Sequence, residues 1–533
     1  MIACLSIRLE RNVSGALLLA CGLATPAPAL AQTPKSGGTL TYAVTGEAPT
    51  YDCHATTTFA AMHVLAPHYS LLIKVDQDKY PAVRGDAAQS WTAAPDGKSY
   101  TFKLHPNVLF HDGTKLTSRD VKATYDRLRA PPQGVLSVRK AAFEDITAID
   151  TPDPTTVVFT LKQPDPLFLD TMSIPFNCLY SADLLAKDPR APEKTILGSG
   201  PFTHVEHVNG SHWVGKKFDK YFLAGKPHLD GFKAFFIKST ALATALKGGQ
   251  VMAEFRTVTP PERDQLKEAM GDKIAFQETP WLCRLDLFFN AKQKPFDDPR
   301  VRRALQIAID RWGGSAPLSK IASVKGISGP LRPGSDDTLS PSELEGLAGY
   351  GRNIEAARAE AKKLLAEAGV GDLKVKLLNR NIAMPFTPVG IFVVDQWRRI
   401  GVTAEHVQLD VSQQKNNLNA GDYQTAIDAF CADSDDPRQA LLQYLSKSRS
   451  PRNVVGNEAP DVDALYDSYK ATADIARRKT LVADMQRKII ESGHSVPIIW
   501  YSRIVAHAPA LKGWKAIPTH LANQDLTDVW LDQ

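Results

Sequence analysis

Long apolar runs are nearly missing from this 533-residue sequence. Past its N-terminus none approaches the roughly 20 residues that a bilayer-spanning helix needs, which excludes a polytopic helical membrane protein. Charge of one sign is not in large excess either. Lys and Arg number 63 against 58 Asp and Glu, a formal +5 with no long basic run, so a nucleic-acid or membrane-surface role lacks its electrostatic footprint. Cysteines number six, none with the close Cys/His spacing of a zinc site. His54, His63 and His68, with His204, His207 and His212, form no compact metal motif, and surface or capping histidines are the simpler reading. Catalytic signatures are missing too: there is no P-loop, no H-E-x-x-H and no G-x-S-x-G, and Gly493-His494-Ser495, which comes nearest, runs into Pro497. No catalytic residue, metal ligand or cofactor is expected.

What is present begins with the N-terminus. Arg8 and Arg11 precede an apolar run from Val13 to Leu23, and a Pro/Ala-rich stretch then ends at Ala29-Leu30-Ala31. That is the layout of a cleaved secretory signal over residues 1–31. Lipoprotein anchoring at Cys21 fits less well, because Leu18-Leu19-Ala20-Cys21 places Leu directly before the small residue. The mature chain should be soluble and periplasmic. It would keep Cys53, Cys178, Cys283 and Cys431, which allow three pairings in a compartment that permits disulfides. A chain of this length exceeds one hydrophobic core, so two or three domains are expected.

The stretch from Glu278 to Arg311 organises the rest. Leu285, Leu287 and Phe289 alternate with Arg284, Asp286 and Phe288 as in a strand with one buried face, and Pro280 marks its start. Asp298 then caps a helix with Pro299 in its first turn, and Val301, Ala304, Leu305, Ala308 and Ile309 recur at helical spacing. Upstream, Tyr100, Phe102 and Leu104 predict a strand after the Pro95-Asp96-Gly97-Lys98 turn, and Thr117 with Asp120 predicts a capped helix through Leu128. Ala60 to Leu72 reads as helical, and the Gly/Ser/Pro-rich passage from Arg311 to Pro341 as loop. Beyond it, strands at 372–379, 402–409 and 423–430 interleave with helices, which predicts an α/β domain.

Several of these segments carry one resemblance. The Asn290 strand end followed by Lys-x-Pro-Phe-x-Asp-x-Arg-Val-Arg-x-Ala-Leu, the run from Trp91 through FHDGTKLTSRDV, Gly198-Ser199-Gly200-Pro201-Phe202, and the Ala-Leu-x-x-Gly motif near Gly248 are similar to the peptide/nickel-type (family 5) substrate-binding proteins of ABC importers. The match spans about Gly37 to Leu531. It implies an α/β, two-lobed periplasmic-binding-protein (Venus-flytrap) fold of three domains with two hinge crossings. Domain I would be 32–62, 196–281 and 498–533, domain II an insertion at 63–195, and domain III 282–497.

The resemblance also implies a site. Tyr423 to Pro437, YQTAIDAFCADSDDP, resembles the family's Gly-Trp-Cys-Ala-Asp passage. There the aspartate matched by Asp433 receives a peptide's α-amino group, and the adjoining backbone, here Ala429, Phe430 and Cys431, pairs with the ligand. A carboxylate in a closed cleft suits an ammonium, which supplies charge and three donors. Phe430 replaces the family's Trp and Asp428 its Gly, while Val411 and Leu418 stand where oligopeptide-binding members have an aromatic and a basic residue. No arginine for a peptide carboxylate is placed. His54, Thr56 and Thr57 lie where domain I of relatives meets ligand. Cys283 and Cys431 match the family's disulfide, which leaves Cys53 and Cys178 as a second bridge or as two thiols. The implied function is to carry a peptide or peptide-like, amine-bearing solute to an ABC permease, as a monomer. The alternatives are a nickel or haem receptor of the same family and a secreted hydrolase on this scaffold.

Overall fold

The computed structural model describes residues 33–533 apart from 383 and 451. The expected signal segment and Cys21 lie outside these residues. No helix among the described residues is long and apolar enough to cross a membrane.

Two long strands, Ala275–Phe289 and Ser495–His507, run antiparallel through the middle of an eleven-stranded sheet. On one side lie Thr425–Cys431, Lys374–Arg380 and Thr403–Leu409; on the other Ala253–Glu254, Thr39–Val44, Gly231–Phe236, His212–Lys217 and Phe202–Val208. The central pair therefore belongs to both halves. Its ladder is interrupted: Pro280 faces Ser502, but the next pair is Arg284 with Trp500. Pro280 does not open the strand, which begins at Ala275. It sits where the regular pairing stops, and a residue with no N–H is tolerated where a ladder lapses.

Each half has its own apolar core. Leu40, Tyr42, Val44, Phe202, Trp213 and Phe232 pack in the first, and Leu285, Leu287, Phe289, Leu305, Val389 and Trp397 in the second. A separate four-stranded antiparallel sheet, Ala88–Ala93, Ser99–Leu104, Thr156–Leu161 and Ile146–Asp153, covers a third core with Phe102, Tyr125 and Phe159. Its helix Ser118–Arg129 carries the capping box formed by Thr117 and Asp120.

Three local expectations change. The helix from Phe59 stops at Leu65, and a 3-10 turn with Pro67 replaces its expected continuation to Leu72. A helix, Arg311–Ile321, occupies the start of the passage expected to be loop; the Asp310 side chain caps it by accepting from the Gly313 N–H. A Cβ on Gly314 would lie 2.4 Å from the Phe392 ring, so that glycine serves close packing rather than a turn. The strand at 284–289 buries both faces: Arg284 and Asp286 are each 0% exposed and bond to each other at 2.9 Å. Pro330 O and the Tyr444 hydroxyl take further Arg284 donors, while Gln443 donates to Asp286.

Candidate functional site

The Thr425–Cys431 strand runs antiparallel to Ala275–Phe289, and its last pair, Cys283 with Cys431, is closed by a disulfide. Ala432 N still bonds to Leu282 O. The chain then leaves the sheet as Asp433-Ser434-Asp435-Asp436 before the helix Pro437–Leu441, whose N-cap is Asp436. Strand end, disulfide and helix cap thus fix both ends of a four-residue acidic loop.

That loop lines a cleft of about 200 Å3 that opens to solvent. Asp433, Asp435, Asp436, Arg332, Asp336 and Asp337 come from the second half, and Val75, Tyr80, Leu167, Asp170 and Thr519 from elements of the first half and the four-stranded domain. Two of the carboxylates are taken. Arg332 grips Asp435 through Nε and Nη2 at 2.8 and 2.6 Å, and Arg438 holds Asp436. Arg438 also reaches across the cleft to Asp165, at 2.9 Å. Asp433 differs: its backbone N–H donates to Gln439 Oε1, and among the described residues its carboxylate accepts no hydrogen bond. Burial and repulsion from Asp436 push the Asp170 carboxyl up to about 7, against the pull of Arg438. The cleft is a place where positive charge is under-supplied.

Beside it, sharing Val75 and Ser173, lies a small side pocket of about 30 Å3 lined by Tyr69, Leu71, Pro175 and Leu521. Its cation, Lys74, is already held by Asp86 and Asp525 at 3.1 and 2.7 Å.

The other expected site residues fall into different places. Ala429 is half-buried; Phe430 is buried, with the Arg284 guanidinium 4.4 Å from its ring centre; Cys431 is exposed at the strand's end. Thr57 is exposed, whereas Thr56 is buried and accepts from the Thr58 N–H. His54 belongs to the interior rather than to a solute: it is 0% exposed, its Nε2 donates to Cys178 O at 3.1 Å, and its Nδ1 accepts from Arg127 at 2.9 Å. Burial drives its pKa down to about 3, so the ring is neutral. Arg127 also clasps Asp52, and a second disulfide joins Cys53 to Cys178. His68 is likewise internal, bonded to Phe202 O and accepting from Trp213 Nε1. Among the described residues no three His, Cys, Asp or Glu side chains converge as a metal site would require.

One residue with no expected role stands beside this loop. Arg139 is 6% exposed, donates from Nη1 to Thr56 O at 2.9 Å and lies over the Phe176 ring at 4.1 Å. Nothing in its sequence setting, Val135 to Lys140, distinguishes it from a surface arginine.

Comparison with known proteins decides the family. The model of bacterial extracellular solute-binding proteins, family 5, matches residues 82–452. The chain belongs to that family. It is therefore an extracytoplasmic solute-binding protein of the ABC importer type. Among similar proteins, the glutathione-binding protein GsiB of Pectobacterium atrosepticum is 27% identical over 454 residues, covering 83% of this chain and 85% of the relative. The periplasmic binding protein AgaA of A. tumefaciens R10, solved with agropinic acid, is 25% identical with a TM-score of 0.74, over 93% of this chain and 99% of that one. The substrate-binding protein CtaP of Listeria monocytogenes shares the fold with a TM-score of 0.81 at 24% identity, over 94% of this chain and 100% of that one. The two-lobed binding-protein fold read from the motifs is the fold of this family 5 protein.

Proposed function

We propose that this solute-binding protein takes a peptide or peptide-like solute with a free amine into the cleft between its halves, with Asp433 receiving the ammonium. The observation that carries the reading is the Asp433 carboxylate, which lines the cleft and accepts no hydrogen bond among the described residues. A carboxylate confined with Asp435, Asp436 and Asp170 is best satisfied by a cation that brings its own donors. The relatives' names agree with such a ligand: glutathione is a peptide with a free amine. The lobes are proposed as 32–62, 196–281 and 498–533 with the insertion 63–195, against 282–497, and they hinge where the central ladder lapses between Pro280 and Arg284. Export with loss of residues 1–31, a monomeric periplasmic receptor that performs no catalysis, and delivery to ABC permease subunits complete the proposal.

The test is calorimetry on Asp433→Ala with a peptide that binds the wild type. Truncating one partner of a desolvated charge pair costs about 2–5 kcal/mol, so the affinity should fall by at least thirtyfold. Unchanged binding would remove Asp433 from the site, and a peptide recovered cleaved would replace the receptor with an enzyme.

A further inference from the structure

The cleft holds more negative charge than one ammonium can answer. Asp170, Asp336, Asp337, Asp433, Asp435 and Asp436 line it, against the single guanidinium of Arg332. Arg332 is spent on Asp435, and Arg438 on Asp436. An amine on Asp433 therefore leaves three carboxylates. Asp336 is exposed and stays hydrated, and Asp337 lies in the field of Arg478 and Lys479. Asp170 has neither relief. It is half-buried; the bonds it accepts, from Ser173, end on its backbone O, and among the described residues none reaches its carboxylate. Contacts fix its place facing the acidic loop. Arg438 holds Asp436 at 2.8 Å on its own side of the cleft, and on the other side donates to Asp165 at 2.9 Å and to Thr171 Oγ1, next to Asp170, at 3.4 Å. Burial, and then repulsion from Asp436, hold the Asp170 carboxyl at about 7, so a cation beside it would restore its charge. Tyr80 is a second, independent sign. It lines the same cleft with the Arg332 guanidinium 5.7 Å from its ring centre, and its hydroxyl oxygen is buried with no hydrogen-bond partner among the described residues. A phenol oxygen accepts from an ammonium, and leaving a buried one unpaired is costly.

We propose that the solute is a dication, whose free amine lies on Asp433 and whose second amine or guanidinium lies on Asp170 and Tyr80. This rests on the ammonium reading of Asp433 and narrows it to solutes such as a peptide with a basic side chain. The two carboxylates come from opposite sides of one cleft, and among the described residues no three His, Cys, Asp or Glu side chains converge. Two organic cations held apart fit that arrangement, whereas a metal ion needs its oxygens gathered around one point. A dication also bridges the cleft, so its second contact exists only in the closed arrangement and favours it. Each cation meets a carboxylate that the protein leaves without a partner, which selects two positive charges over one and disfavours an acidic solute.

The probes are di- and tripeptide amides of alanine carrying one lysine, against the same peptides with that lysine acetylated: equal length, two positive charges against one. They are titrated by calorimetry into wild type, Asp170→Asn, Tyr80→Phe and Asp433→Asn. The wild type should bind the dications at least about tenfold more tightly, the worth of a hydrogen bond to a charged group. High salt should narrow that gap. Asp170→Asn should bring the two series within about twofold of each other, and Tyr80→Phe should shrink the gap. Asp433→Asn should weaken both series. Thermal unfolding of the unliganded variants shows whether each is folded, and Asp170→Ser serves if Asp170→Asn is not. Equal binding of the two series to the wild type, or a preference that survives in the Asp170 variants, overturns this inference and leaves the Asp433 reading standing. Saturable binding of calcium chloride alone, abolished by Asp170→Asn, would make the carboxylates a metal site and overturn it as well. Binding of neither series to the wild type overturns both readings.

Discussion

Asp165→Asn perturbs closure without touching the ligand. Asp165 follows the strand Thr156–Leu161 of the four-stranded domain, and Arg438 is in the helix next to the acidic loop of the second half. Their 2.9 Å bond crosses the cleft between side chains each about one-fifth exposed (20% and 19%). A hydrogen bond to a charged group contributes about 1.5–3 kcal/mol. Partial exposure and salt screening bring that nearer to about 1–2 kcal/mol. Asn keeps the shape and can still accept from the Leu167 N–H, as Asp165 does at 3.0 Å, so what is lost is the charge. If the halves separate when empty, the bond exists only in the closed state, and the closed-to-open ratio falls by about 5- to 30-fold. The apparent affinity weakens by the same factor where the empty protein is mostly open, and by less where it is mostly closed. Calorimetry reads the affinity, small-angle scattering reads the radius of gyration of the empty protein, and both differences should shrink at high salt. Affinity within twofold of wild type at low salt, with identical scattering, would show that the ion pair plays no part in closure.

Asp170 gives a pH signature. Its folded pKa, about 7, lies above the ordinary 3.8, so its contribution to stability is full below about pH 4 and is lost as pH rises through 7. Asp170→Asn should therefore match wild type in thermal unfolding near pH 4 and melt at higher temperature at pH 8, and an equal difference at both would refute the burial argument. Asp286→Ala leaves Arg284 charged at 0% exposure and should cost about 3–5 kcal/mol in urea unfolding. Adding Arg284→Met should recover part of that loss, and an additive double mutant would show that the pair is not coupled.

The fold was legible where one physical rule dominated. The cap at Thr117, the period of two at Tyr100 to Leu104 and the Asp298-Pro299 helix start all appear as read. Misreadings came where tertiary packing overrode local chemistry. Gly313, Gly314 and Pro317 suggest a loop, but Asp310 caps a helix there and Gly314 admits the Phe392 ring. Arg284 and Asp286 looked like a solvent face because polarity reports exposure only when charges are unpaired, and these two neutralise each other. His54 invited a ligand role by its place in the chain; its actual partners, Arg127 and Cys178, lie 73 and 124 residues away. Arg139 is the same problem in reverse. Its Nε and Nη2 are buried without an acceptor among the described residues, and no spacing encodes that.

The basic residues of the second half are largely held by its own carboxylates. Asp428 is buried and pairs with both Arg380 and Lys415. Phe430 lies under Arg284, which is itself bound to Asp286. Arg332 is committed to Asp435, and Arg438 to Asp436 and Asp165. Arg332 and Arg438 are thus engaged by aspartates, while the Asp433 carboxylate accepts no hydrogen bond among the described residues. On the opposite side, in the neighbouring pocket, Lys74 is balanced by two aspartates.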